Sequence, residues 1–251
     1  MVNTDLTNQL ILWQTMTVRN KGKHTLIGVI AKYEWYIEDA KSALSTQQIE
    51  VKGFSNLKDL NREIAKGANF KYLFFPHFSE IIPKSLYSNF LCIGFHTGDL
   101  PKDRGGSPIQ HKIINGKYKT KVSAFKIEKE VDGGPIYLQM NIDLSKGDIY
   151  EILLKLSKIC SSIMGSIITK NLNPKPQKKL LPKKSRLLAE DSNLANLDMS
   201  LRSIYDRIRM VDGLDYPRAY LDIGKYRLEF TEGKYHGEEV VAVCKIRKRR
   251  K

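Results

Sequence analysis

Cysteine is scarce and poorly placed for structural chemistry. The three residues, Cys92, Cys160 and Cys244, stand far apart with no Cys-x-x-Cys spacing, which argues against a disulfide framework and against a zinc site and predicts a reducing, cytoplasmic compartment. Each is expected to behave as a small buried hydrophobe, and no His, Cys or Asp spacing calls for a metal. Long apolar runs are missing as well. Stretches such as 72–75 and 91–95 fall far short of the roughly 20 residues a spanning helix needs, so no membrane insertion is expected. No positive segment followed by an apolar one opens the chain, so no secretory leader is expected. Acidic residues are in deficit, 27 against 42 Lys and Arg, for a formal charge of +15. That excess first suggests a polyanionic partner. It is concentrated, however, in residues 175–186 and 245–251, each with six cations and no acid, which leaves only +3 elsewhere. Such tracts read as solvated chain, so nucleic acid is not the expected partner.

What is present is a chain of 251 residues, 41% hydrophobic, enough for one large domain and a small appendage. Between residues 25 and 170 short apolar runs alternate with longer amphipathic stretches, the pattern of βα units around a parallel sheet. Strands are predicted at 25–31, 49–52, 72–75, 92–95 and 122–127. Helices are predicted at 56–65 with Ser55 or Asn56 as cap, at 109–114 after Pro108, and at 148–169, where Ile149, Ile152, Leu153, Leu156, Ile159, Ile163 and Ile167 keep helical spacing. Ahead of these, 10–12 suits a short strand or 6–16 a helix. Pro174, Pro176 and Pro182 make 171–190 an extended basic strap. A helix at 201–210 and short strands at 219–223, 226–230 and 239–246 then suggest a small β-rich domain over 191–251. The expected fold is α/β, a Rossmann-like and mostly parallel sheet flanked by helices over 1–170, followed by that strap and that domain.

Two segments carry chemistry. Phe95-His96-Thr97-Gly98-Asp99-Leu100-Pro101-Lys102-Asp103-Arg104-Gly105-Gly106-Ser107-Pro108 reads as a buried strand ending in a histidine, then a glycine- and proline-rich loop, then a helix start. α/β folds bind ligands beyond the carboxyl ends of their strands, and a histidine there can relay a proton near neutrality. Glu130-Val131-Asp132-Gly133-Gly134-Pro135-Ile136 follows another strand and sets a carboxylate beside two glycines, where backbone can approach a ligand closely. His24, His77, His111 and His236 are read as ordinary satisfied histidines.

Together these segments resemble the signature of the folate-dependent N-formyltransferases, in which Asn-x-His precedes a Leu-Pro turn and Arg-Gly, with Asp-x-Gly-x-Ile later. His96, Leu100, Pro101, Arg104, Gly105, Pro108, Asp132, Gly134 and Ile136 fall on matching positions, and residues 74–83 resemble the loop that wraps the pterin. The resemblance implies His96 and Asp132 as the acid/base pair and N10-formyltetrahydrofolate as formyl donor. It also implies Phe78, Ser79, Ile81, Ile82, Val131 and Asp132 as folate contacts. Asp99, Arg104, Gly105, Gly106 and Ser107 are the expected acceptor contacts, with Arg104 and the Gly105-Gly106-Ser107 backbone serving a pyrophosphate or the substrate directly; Asp99 alternatively forms an Asx-type turn. Two departures stand out. Gly94 occupies the position of the family asparagine, whose amide hydrogen-bonds the formyl oxygen, and few residues precede the strand at 25–31. The loop variant looks closer to the branch acting on nucleotide-linked amino sugars, which is the expected acceptor. An enzyme acting on aminoacyl-tRNA and a folate-binding relative without turnover remain as alternatives, and a homodimer is possible by family likeness.

Overall fold

The computed structural model describes residues 25–46, 48–195, 198–213 and 216–249; the expectations for 6–16 lie outside them. The sheet is seeded by β1 (Thr25–Ile30), whose Ile27, Val29 and Ile30 are fully buried. After it comes α1 (Glu34–Leu44), which the sequence reading overlooked. Its buried residues Tyr36, Ile37, Ala40 and Leu44 do keep helical spacing, but Tyr33 at its N-cap gives no side-chain cap, so the usual start signal is missing. β2 (Ile49–Phe54) pairs in parallel with β1 and completes a βαβ unit. α2 (Leu57–Ala65) is capped as expected, Asn56 accepting the Asp59 N–H at 2.9 Å.

Next come β3 (Tyr72–Phe75), the short α3 (Lys84–Tyr87), β4 (Cys92–His96) and α4 (Pro108–Ile114). β5 (Lys119–Lys126) and β6 (Ile136–Asp143) follow, and α5 (Ile149–Thr169) closes the unit. The sheet order is β2-β1-β3-β4-β5-β6. The first four strands are parallel, and β5 runs antiparallel to both of its neighbours. β6 is an addition to the predicted strands; its residues are half-buried with no alternation, which hides the period of two. α5 corrects the expectation about membrane length. It is 21 residues long and an 18-residue window of it has a mean hydropathy of 1.5, long and apolar enough to cross a membrane. Here half of that surface is buried in the protein, with Ile152, Leu153, Leu156, Cys160, Ile163 and Ile167 in the core against α1.

The strap from residue 171 makes only isolated bridges, Ile136 with Lys175 and Gly105 with Lys184. After the 3-10 turn Ala189–Ser192 come α6 (Leu201–Arg209), β7 (Ala219–Ile223), β8 (Tyr226–Tyr235) and β9 (Val240–Lys248). The three strands form an antiparallel meander. Leu194, Ile208, Met210, Val211 and Ala219 join the same hydrophobic cluster as β1 and α5. Burial pushes the Cys92 thiol up to about 12 and raises Cys160 as well. Cys244 is exposed on β9, contrary to its expected burial.

Candidate active site

His96 is the last residue of β4 and is 7% exposed. Its ring is fixed from both sides. Nε2 lies 2.5 Å from the carbonyl oxygen of Asp103, and a carbonyl only accepts, so Nε2 carries the hydrogen. In the neutral imidazole the lone pair is therefore on Nδ1, which faces Asp132 Oδ2 at 3.6 Å. The loop can hold the ring this closely because Gly98 has no side chain: a Cβ there would lie 2.8 Å from His96 Cδ2 and Nε2. Asp132 is in turn held by the Gly105 N–H, 3.0 Å from the same Oδ2. Its backbone is left-handed, φ 54, a conformation aspartate tolerates better than most side chains. Two groups 36 residues apart in sequence thus meet at the carboxyl end of β4.

They open onto a cavity of about 1070 Å³. Phe78, Ser79, Ile81, Ile82, Val131 and Asp132 all line it, on the loops after β3 and β5. With Phe75, Phe125 and Ile127 they make an apolar wall, and Ile81 is 84% exposed within reach of an incoming ligand. A slot with such a wall and a few convergent polar groups suits a flat heteroaromatic such as a pterin.

Of the expected acceptor contacts, Gly105, Gly106 and Ser107 line this cavity, whereas Arg104 and Asp99 do not. Arg104 is 4% exposed and does not line the cavity. Its guanidinium donates to the carbonyl of Leu181 at 3.1 Å, to the carbonyl of Val131 at 2.6 Å and to the Glu130 carboxylate, so it ties the strap to the Asp132 loop and is closed to a phosphate. The Arg104 contact also draws the Glu130 carboxyl below its ordinary range. The Gly105 N–H is taken by Asp132, and the Gly106 N–H by Lys184 O at 3.0 Å. A Cβ on Gly105 would sit 2.2 Å from Lys184 O, so this glycine admits the strap. Ser107 Oγ accepts the Leu187 N–H at 3.1 Å. Asp99 faces a second cavity with Lys121 at 2.9 Å and Lys102 at 3.5 Å. Burial opposes ionisation of Asp99, but those lysines prevail and hold it below the ordinary carboxylate range.

Several groups that the sequence reading set aside line the main cavity. His77, with φ 47 and stacked 5.6 Å from Tyr33 and 5.8 Å from Tyr36, is among them, as is Tyr216. Burial, with Lys32 and Arg186 nearby, pushes His77 down to about 4, so it is neutral at physiological pH. A histidine at the carboxyl end of β3 was the available signal. The strap is exposed, as expected, and its Lys183, Lys184, Ser185, Arg186 and Leu187 also line the cavity. The Gln177 amide fastens the strap by donating to Asp132 O at 2.9 Å and Gly134 O at 2.8 Å.

Comparison with known proteins gives the wider context. The formyl transferase family model matches residues 19–157, and that of the methionyl-tRNA formyltransferase C-terminal domain matches residues 189–247. The methionyl-tRNA formyltransferase of Campylobacter jejuni serotype O:23/36 is 30% identical over 200 residues, 77% of this chain and 63% of the relative. The match therefore spans less than two thirds of that relative's length. The structure of methionyl-tRNA formyltransferase from Clostridium thermocellum aligns with a TM-score of 0.83 at 36% identity, covering 89% of this chain and 99% of that one. A sugar N-formyltransferase from Shewanella shares the fold, with a TM-score of 0.59 at 17% identity over 87% of this chain and 96% of its own. By its sequence match across more than half its length and by the fold around His96 and Asp132, the chain belongs to the formyl transferase family.

Proposed function

We propose that this protein transfers a formyl group from N10-formyltetrahydrofolate to the amine of an aminoacyl-tRNA, methionyl-tRNA first among them, in the cytoplasm. The observation that carries the acceptor is the strap: Lys183, Lys184 and Arg186 line the same cavity as His96 and Asp132, with Lys32, Lys84 and Lys129 around it. A wall of cations beside the reacting groups suits a phosphate backbone; Lys183 and Lys184 lie 3.7 Å from Glu130 and 3.3 Å from Asp103 but stay half-exposed to an incoming anion. The groups expected to hold the pyrophosphate of a nucleotide-linked amino sugar are instead spent on the protein itself. The relatives named above favour the same reading, and the sugar acceptor is the weaker alternative.

N10-formyltetrahydrofolate would supply a formyl carbon bonded to a nitrogen that can leave, so one acceptor proton is exchanged for the formyl group and ends on that nitrogen. The apolar wall of Phe78, Ile82, Phe125 and Ile127 orients the donor and excludes water. His96 Nδ1 is the vacant base, and the proton it takes up lies between the ring and Asp132 Oδ2, where the carboxylate stabilises the imidazolium. The Asp103 carbonyl on Nε2 and the Gly105 N–H on Asp132 hold both groups in register.

The test is formylation of methionyl-tRNA with N10-formyltetrahydrofolate, read as N-formylmethionine after deacylation, beside a panel of nucleotide-linked amino sugars. His96→Ala and Asp132→Asn should each lower the rate by on the order of 100-fold to 10,000-fold. Formylation of an amino sugar with none of the tRNA would overturn the acceptor assignment.

A further inference from the structure

The residue on β4 that shares a face with His96 is Gly94, since side chains two apart on a strand point the same way. Gly94 needs no unusual backbone; a side chain there would have to displace the ring of its neighbour. Gly94 pairs directly with Phe125 across β4 and β5, and a Cβ at 94 would lie 2.8 Å from Phe125 Cζ and 3.1 Å from Cε1. A register shift between Ala124 and Phe125 marks a bulge in β5 at this point. Bulges re-aim side chains beside active sites. The strand therefore offers an aromatic ring, and no hydrogen-bond donor, next to the imidazole. Acyl transfer nevertheless builds negative charge on the carbonyl oxygen, and a fixed donor for that charge is among the largest contributions to the rate.

Thr97 follows His96 directly and lines the cavity. It is 9% exposed, yet its hydroxyl makes no hydrogen bond among the described residues. By contrast the Ser107 hydroxyl is engaged by Leu187 N–H, and the Gln110 amide by Met210 O. Resting on the formyl-transfer reading above, we propose that Thr97 is a catalytic residue whose hydroxyl donates to the formyl oxygen, standing in for a donor that Phe125 keeps off position 94.

Thr97→Val keeps the shape and removes the hydroxyl. It should lower kcat by on the order of 100-fold to 1000-fold with KM for the folate little changed, and Thr97→Ser should retain most of the rate. A second readout needs no turnover. With N10-formyltetrahydrofolate labelled with carbon-13 in the formyl group and no acceptor, the carbonyl stretch of the bound donor should lie at lower frequency in the wild type and in Thr97→Ser than in Thr97→Val. The triple variant Thr97→Val, Gly94→Asn, Phe125→Ala, in which an amide replaces the ring, should recover part of the frequency shift. An unchanged carbonyl frequency in Thr97→Val overturns the proposal whatever the rate. A wild type that shows the shift but formylates no amine supports the Thr97 contact and sinks the acceptor reading instead.

Discussion

Arg104 shows how a motif residue can be mistaken for a ligand contact. An arginine followed by two glycines in a loop at a sheet edge has the chemistry for a phosphate, but sequence does not tell whether a guanidinium faces the cavity or the protein. Here three protein acceptors surround it, so Arg104→Met should act on stability, costing about 1–3 kcal/mol through the buried carbonyls it strands. Urea unfolding should show the lowered midpoint; a raised KM for the acceptor at unchanged stability would point to ligand binding after all. His77 makes a separate pH prediction. Its ordinary value is 6.5 and the folded value is about 4, so between these pH values the unfolded chain binds the extra proton and folding is penalised. The stability that neutral His77 allows is complete above about pH 6.5 and is lost as pH falls toward 4. His77→Asn, which tolerates the left-handed backbone, should flatten the fall in thermal midpoint across that window; an unchanged slope would assign the acid sensitivity to other groups.

At the scale of elements, what the sequence disclosed depended on whether each element announces itself locally. β3 and β4 are runs of apolar residues bounded by turns, and α2 and α5 begin with side-chain caps at Asn56 and Asp148, so periodicity and capping suffice to find them. α1 begins at an aromatic without a capping side chain, and β6 lacks alternation, so both emerge only from tertiary packing. The pairing of His96 with Asp132 was legible in the order of the two motifs and not in strand ends, because β5 runs antiparallel to β4 and its carboxyl end lies beside Ile93, so the loop after it has to fold back to reach His96. The strap is extended and largely exposed, as expected, but prolines and lysines carry no sign that backbone hydrogen bonds fasten it. Six cations make it an ideal trypsin substrate if solvated, but Lys175 bridges Ile136, Lys184 bridges Gly105, and Gln177 holds two carbonyls. Limited trypsin digestion of the native protein should therefore spare residues 175–186 under conditions that cut an unfolded control at once. Gln177→Leu should speed cleavage there several-fold, at a cost of about 1 kcal/mol per lost hydrogen bond, and should lower the formylation rate because the same amide positions the backbone of Asp132.

Across the whole molecule, the C-terminal unit is joined to the sheet by an ionic knot as well as by shared core. Arg209 is 1% exposed, and its guanidinium donates to Asp206 at 2.6 Å, to Gly147 O at 2.7 Å and to Leu144 O at 2.8 Å. The Tyr118 hydroxyl donates to the other oxygen of Asp206 at 2.5 Å. Arg209 Nε and Asp206 Oδ1 thus pair within α6, while the remaining polar atoms of the pair reach out of it to residues 118, 144 and 147. A buried pair of this kind adds little over an apolar replacement, but losing one member leaves a stranded charge at a cost of about 3–5 kcal/mol. Because Ile208, Met210 and Val211 continue the hydrophobic cluster of α5, the two units should melt in one cooperative transition. Arg209→Ala should lower that midpoint sharply, while the double variant Arg209→Met, Asp206→Leu, which removes both charges, should recover much of the loss. Calorimetry distinguishes the outcomes. Two separated transitions in the wild type would mean that the C-terminal sheet stands on its own, and the strap would then be the only link holding it beside the cavity.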